Sequence, residues 1–138
     1  MNTPIGIRNN NPLNIRRVKG QRWRGEIEAL PQRGSGEGAF CRFRSVPYGL
    51  RAAFCILRTY RDKHHANCIE DIVTRWAPPT ENDTRRYISD VCKLTGFGGK
   101  EGLTEQDWPR LVRAMALIES GMKLSEEQIQ EGFRLYKE

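Results

Sequence analysis

The sequence lacks the residue patterns of common metal and redox sites. Its four cysteines form no C-x-x-C pair, which argues against a zinc or thioredoxin-type site. The only two histidines, His64 and His65, are adjacent, and neighbouring positions on a helix are poor geometry for binding one metal ion. We therefore predict neither a metal site nor a cofactor.

No apolar run approaches the length that crosses a bilayer. The N-terminal segment "MNTPIGIRNNNP" has no basic region followed by an apolar one, so no secretory signal is indicated. We predict a protein made in the cytoplasm without a signal peptide and without membrane insertion. Action in the periplasm or cell wall would then need release from the cell, or transport in a virion or by a secretion system.

The net charge of +6 and the pI of about 9.4 favour an anionic partner such as nucleic acid, anionic lipid or an acidic cell wall. The arginines are scattered, however, and no groove-reading element is recognisable, so nucleic acid is the least favoured partner. Hydrophobic residues make up 38% and charged residues 29% of the 138 residues, which fits a single folded domain over 1–138.

Two kinds of pattern predict an α+β fold that is mainly α. "WRGEIEAL" and "GAFCRFRSV" are typical of two short strands, and the glycine-rich "RGSGEG" between them predicts a hairpin turn. From Pro47 onward, apolar residues at helical spacing predict about five helices. Thr104 with Asp107 resembles a capping box, Asn82 or Asp83 is a candidate N-cap, and Gly121 is a candidate helix end.

The stretch "GIRNNNPLNIR" is rich in residues that favour turns. It is either a simple ordered loop or a segment that presents amide groups to a polar ligand such as a sugar. Asn11 and Asn14 are its candidate ligand-binding residues.

Glu119, in "AMALIESG", is the candidate catalytic residue. The negative end of the helix dipole and the apolar preceding turn both disfavour its ionised form. A glutamic acid with a raised pKa can protonate a glycosidic oxygen near neutral pH. The alternative is an exposed glutamate in the last turn of a helix.

Several motifs resemble a family of phage and prophage proteins described as virion structural or lysozyme-like proteins. They include "NPLNIR", "QRWRGE", "YGLRAAFCILRTY", "WAPPTENDTRRY" and "LIESG", and the resemblance runs from Ile5 to Met122. A second resemblance is to bacterial N-acetylglucosaminidases and lysozyme-like transglycosylases. Their E-S-G helix, asparagine segment, W-x-G hairpin and tyrosine-containing helix occur here in cyclically shifted order. This resemblance implies a lysozyme-like domain that is circularly permuted.

The resemblance also implies roles for particular residues. Glu119 would be the general acid. Glu26 in the predicted hairpin would be a second carboxylate, and Glu28 and Glu37 are alternative candidates in the same hairpin. The substrate-binding candidates are Tyr87, Asn11, Asn14, Trp23 and Asn82. Four of them have a structural alternative: a loop contact for Asn11 and Asn14, an N-cap for Asn82 and a half-buried helix aromatic for Tyr87.

The implied function is cleavage of the peptidoglycan glycan strand, by a lytic transglycosylase, muramidase or glucosaminidase. Peptidoglycan and components of a virion or secretion system are the expected partners. The alternative is a non-catalytic virion structural or cell-wall-binding protein with the same fold, because a fold does not establish activity. A nucleic-acid-binding protein is a third hypothesis that rests on charge alone.

Overall fold

The computed structural model describes residues 3–28 and 39–138. These residues form six α-helices, one 3₁₀ turn and one two-stranded sheet, which confirms the α+β, mainly α prediction. In chain order the elements are α1 (Ile5–Arg8), β1 (Glu26–Ile27), β2 (Arg42–Phe43), α2 (Val46–His64), α3 (Ile69–Trp76), α4 (Thr84–Thr95), the 3₁₀ turn (Glu105–Asp107), α5 (Trp108–Ser120) and α6 (Glu126–Lys137). The five longer helices correspond to the predicted ones, whereas α1 is an additional single turn.

The two strands pair in antiparallel fashion, as the sequence predicts. Glu26 lies opposite Phe43, and Ile27 lies opposite Arg42. The predicted glycine-rich turn and Glu37 lie outside the described residues. Two further contacts extend the pairing of the two chain segments: Arg16 forms an isolated bridge with Phe40, and the Arg44 N–H donates to the Gly25 carbonyl.

Helices α2 and α6 pack against each other and form much of the core. The ring of Phe54 meets that of Phe133 edge to face at 5.1 Å between centroids. At the closest approach, a Cβ atom on Gly132 would lie 2.6 Å from the Cβ atom of Leu50, so the helices can only come this near where one residue is glycine. Trp108 is fully buried, and its indole N–H donates to Asn67 Oδ1 at 3.0 Å.

Local signals place the boundaries of α4 and α5. Thr104 and Asp107 form the predicted capping box, which opens the 3₁₀ turn that runs directly into α5. Gly121 adopts φ +71° and ends α5 as predicted. The N-cap of α4 is Asp83, whose side chain accepts from the Arg86 N–H; Asn82 instead donates to the carbonyl of Pro78. Glu119 therefore lies in the last turn of α5.

Candidate active site

Glu119 lines an open cavity of about 540 Å³ beside the C-terminal end of α5. Its side chain is half-buried, so the carboxyl group touches both the core and the cavity. The cavity wall combines aromatic, amide and charged side chains, and its dimensions suit a ligand of several rings. Its lining residues are Asn14, Ile15, Arg16, Phe40, Ile56, Tyr60, Trp76, Ala77, Pro78, Glu81, Asn82 and Glu119.

Two side chains from distant parts of the chain hold the Glu119 carboxyl group. The Tyr87 hydroxyl, from α4, donates to Oε2 at 3.0 Å. The Asn14 amide donates to Oε1 at 3.3 Å and to the backbone carbonyl of Glu119 at 3.0 Å. Both carboxyl oxygens are therefore oriented, and the bond to Oε1 is the longer one.

The surroundings of Glu119 raise its pKa. Burial is the largest cause, because it disfavours the charged form of the carboxyl group. The hydrogen bonds from Tyr87 and Asn14 and the positive charge of Arg16 act in the opposite direction but do not cancel this effect. Burial, followed by the neighbouring Glu119 charge, likewise raises the pKa of Tyr87, so its hydroxyl remains a donor.

The asparagine-rich loop is fixed against the end of α5. Asn11 is fully buried; its amide donates to the carbonyls of Ile15 and Cys41, and its side-chain oxygen accepts from the Ile15 N–H. Ser120, next to Glu119, donates from its hydroxyl to the carbonyl of Pro12 at 2.9 Å. The loop is therefore an ordered part of the core that carries Asn14 to Glu119.

Asn14 reaches Glu119 from an uncommon backbone conformation. Its φ of +52° lies in the left-handed region, where asparagine is among the better tolerated side chains. The preceding helix α1 fits closely below it: a Cβ atom on Gly6 would lie 2.7 Å from Asn14 Oδ1 and 2.8 Å from Ser120 Cβ. The absence of a side chain at Gly6 thus permits the contact between the loop and α5.

Aromatic rings form part of the cavity wall. Tyr60 and Trp76 meet edge to face at 6.1 Å, and the Trp76 indole N–H donates to the carbonyl of Leu13 at 3.3 Å. Elsewhere in the lining, the Arg16 guanidinium lies over the ring of Phe40 at 5.0 Å. Aromatic and guanidinium faces of this kind can pack on the apolar faces of sugar rings.

The structure brings some of the sequence-predicted residues together and separates others. Asn14, Asn82 and Glu119 line the cavity, whereas Tyr87 is not in the lining but donates a hydrogen bond to Glu119. Asn11 is fully buried, and its side chain bonds to backbone groups of Ile15 and Cys41, which holds the loop in place. The side-chain environment therefore supports the structural alternative for Asn11.

Glu26 lies in β1 and Trp23 lies three residues before it, and neither lines the Glu119 cavity. Glu26 Oε1 accepts from the Trp23 N–H at 2.9 Å, and Glu26 borders a second depression together with the exposed Glu28. Trp23 is partly buried and packs against the core. Among the described residues, the carboxylate that shares the cavity with Glu119 is Glu81, which sequence reasoning missed although it lies within the recognised "WAPPTEN" motif.

The described residues offer neither a metal-ligand cluster nor a membrane-spanning helix. Over residues 3–28 and 39–138, no three His, Cys, Asp or Glu side chains are grouped as metal ligands. None of the helices in this part of the chain has the length and apolar character required to cross a bilayer.

The described residues form a mainly helical structure in which a half-buried carboxyl group lines an open cavity. No protein-family model matches the chain. The chain is 38% identical over 131 residues to Protein P5 of Pseudoalteromonas phage PM2, an alignment that covers 93% of this chain and 79% of Protein P5. The chain therefore belongs to the family of Protein P5, which confirms the predicted relation to phage proteins.

Proposed function

We propose that this protein cleaves the glycan strand of peptidoglycan, with Glu119 as the general acid. The observation that carries the proposal is a carboxyl group of raised pKa that is held by two hydrogen bonds at the wall of an open cavity. Cleavage of a glycosidic bond requires such a group, because the leaving oxygen must receive a proton near neutral pH. The net charge of +6 favours approach to an anionic wall.

The two hydrogen bonds suit both halves of an acid–base cycle. Burial favours the protonated form of Glu119 before reaction. When the proton passes to the leaving oxygen, the carboxylate that forms is stabilised by Tyr87 and Asn14, which both lower its pKa. Oε1 has the longer hydrogen bond, so we assign the transferable proton to Oε1.

A single acid suffices for one version of the reaction. In a lytic transglycosylase, the glycosidic C–O bond breaks as Glu119 protonates its oxygen. A hydroxyl of the same sugar then attacks the anomeric carbon and returns a proton to the Glu119 carboxylate. This closes an anhydro ring and needs no second carboxylate. A muramidase or glucosaminidase instead adds water, and Glu81, which lines the same cavity, is our candidate for the carboxylate that assists this step.

A circularly permuted lysozyme-like fold forms part of the proposal. In the unpermuted order, an asparagine segment would follow the E-S-G helix directly in sequence. In this chain the same segment lies against the end of that helix across a separation of 105 residues, through the bond from Asn14 to the Glu119 carbonyl. This contact supports the permuted arrangement.

The first test measures release of muropeptides from purified peptidoglycan by wild type, Glu119→Gln and Glu127→Gln. Glu127 is an exposed glutamate in α6 and serves as the matched control. We expect Glu119→Gln to lose at least 100-fold in rate, since general acid catalysis contributes about 10²–10⁴-fold. Glu127→Gln should retain wild-type activity.

Mass spectrometry of the products then identifies the reaction. An anhydro-muramic end indicates a transglycosylase, a reducing muramic end a muramidase, and a reducing glucosamine end a glucosaminidase. If water is added, Glu81→Gln should slow the reaction more than Glu26→Gln, because Glu81 shares the cavity with Glu119. A folded wild type that binds peptidoglycan without releasing products would support the non-catalytic wall-binding alternative instead.

A further inference from the structure

A second depression, which we call the basic cleft, lies beside the Glu119 cavity. It has a volume of about 580 Å³ and is bordered by residues 16–22, 26–28 and 39. Among residues 3–28 and 39–138, four cationic side chains line it, those of Arg16, Arg17, Lys19 and Arg22, against two carboxylates. The charged lining therefore has a positive excess within a concave surface, which favours a ligand with negative charge.

Arg16 joins the basic cleft to the Glu119 cavity, because it lines both. Its guanidinium is fixed over Phe40 and lies close enough to Glu119 to stabilise that carboxylate. A ligand that fills the Glu119 cavity and carries a side branch past Arg16 would place that branch in the basic cleft.

We propose that the basic cleft binds the acidic peptide branches of peptidoglycan while the sugar chain lies at Glu119. The inference rests on the proposed function and extends it from the sugar chain of peptidoglycan to its peptide branches. Carboxylates of a peptide are matched by the guanidinium and ammonium groups of Arg16, Lys19 and Arg22, and arginine can hold a carboxylate through two parallel hydrogen bonds.

Apolar groups in the same lining favour a peptide over a bare polyphosphate. Val18 is 61% exposed and Ile27 is 38% exposed, and both border the basic cleft. The methyl groups of small peptide side chains can cover these two residues, whereas a phosphate polymer would leave them in water. Charge and apolar surface together thus match a short peptide with carboxylates and small side chains.

The test removes two cleft charges without touching the Glu119 cavity. The variant Lys19→Ser/Arg22→Ser is compared with Lys100→Ser/Lys123→Ser, in which two exposed lysines outside the cleft are replaced and the net charge is the same. Both pairs are made in a Glu119→Gln background, so that binding is measured without turnover. The ligands are soluble glycan fragments that carry their peptides and the same fragments stripped of peptide by an amidase.

We expect the cleft variant to bind peptide-bearing fragments about tenfold more weakly than the control variant, an effect that weakens with added salt. Stripped fragments should bind both variants equally. Three results would each overturn the assignment. The cleft variant could bind both kinds of fragment equally weakly, or the Glu119→Gln parent could show no preference for peptide-bearing fragments. Polyphosphate of the same total charge could also displace the peptide-bearing fragments completely.

The two proposals fail in different ways. If wild type releases products but the protein binds peptide-bearing fragments no more tightly than stripped ones, only the role of the basic cleft is refuted. If peptide-bearing fragments bind as expected but wild type gives no turnover, the catalytic role of Glu119 is refuted and the cleft remains a peptide-binding surface.

Discussion

Replacement of Asn14 tests the link between the asparagine-rich loop and Glu119 most directly. The Asn14 amide contributes two hydrogen bonds to Glu119, and its backbone adopts φ +52°. These two features can be separated by two substitutions. Asn14→Gly removes the side chain but accepts the left-handed conformation, whereas Asn14→Ala removes the side chain and also strains the backbone.

The structure indicates how much unfolding free energy each substitution should cost. Loss of the amide leaves the Glu119 carbonyl without its donor, which costs about 1–3 kcal/mol of unfolding free energy. Alanine at a left-handed position adds about 1–2 kcal/mol. We therefore expect Asn14→Gly to lose about 1–3 kcal/mol and Asn14→Ala about 2–5 kcal/mol, measured by urea unfolding.

Asn10 offers a matched control in the same loop. Its φ is +53°, and its amide donates to the carbonyl of Phe43 at 3.1 Å, away from Glu119. Asn10→Gly and Asn10→Ala should therefore show a similar order of stabilities. Only the Asn14 variants should alter the titration of Glu119.

The readout specific to the site is the pKa of Glu119, followed by carbon NMR of its side-chain carboxyl. Asn14 lowers this pKa against the larger effect of burial, so its removal should raise the pKa further. If Glu119 is the general acid, the alkaline limb of the kcat/KM profile should move to higher pH in the same variants. An unchanged Glu119 pKa in both Asn14 variants, or equal shifts in the Asn10 variants, would refute the reasoning.

Two further predictions concern stability. The pKa of Glu119 is raised in the folded protein, so wild type should lose stability as the pH rises from about 4 through that pKa. Glu119→Gln does not ionise there, so its stability relative to wild type should increase between pH 4 and pH 7 in urea unfolding; a decrease would mean that the carboxylate stabilises the fold. Gly6→Ala should cost about 1–3 kcal/mol and weaken activity, because its Cβ would lie within 2.8 Å of Asn14 Oδ1, the Asn11 carbonyl and Ser120 Cβ. Gly102→Ala, where nothing lies within 4 Å, should be nearly neutral, and equal effects of the two substitutions would contradict this account.

The helical part of the fold was predictable because its signals are local. Apolar spacing identified the five longer helices, and the Thr104–Asp107 box and Gly121 bounded the segment that carries Glu119. Helix α1 was missed because four residues are too few to show a periodicity. The choice between Asn82 and Asp83 as N-cap also stayed open, since both side chains can accept the same hydrogen bond and only the three-dimensional path of the chain decides between them.

The site was predictable only in part. Sequence reasoning identified Glu119 and the asparagine-rich loop, but it could not distinguish Asn11, which is fully buried, from Asn14, which reaches the cavity. Both are asparagines in one turn-forming segment, and their different roles depend on backbone carbonyls supplied from residues 41 and 119. Glu81 was missed for a similar reason, because its place in the Glu119 cavity depends on how the turn after α3 packs beside α5.

The raised pKa of Glu119 depends on the same contacts that close the core. Ser120 binds the loop at Pro12, Asn14 binds the Glu119 backbone, and Tyr87 approaches from α4. A local opening of the loop would hydrate the carboxyl group and remove the burial that raises its pKa. Substitutions that loosen the loop should therefore lower the Glu119 pKa before they unfold the domain, whereas loss of the Asn14 amide alone should raise it. The direction of the pKa shift thus distinguishes a loosened site from one that has lost a single hydrogen bond.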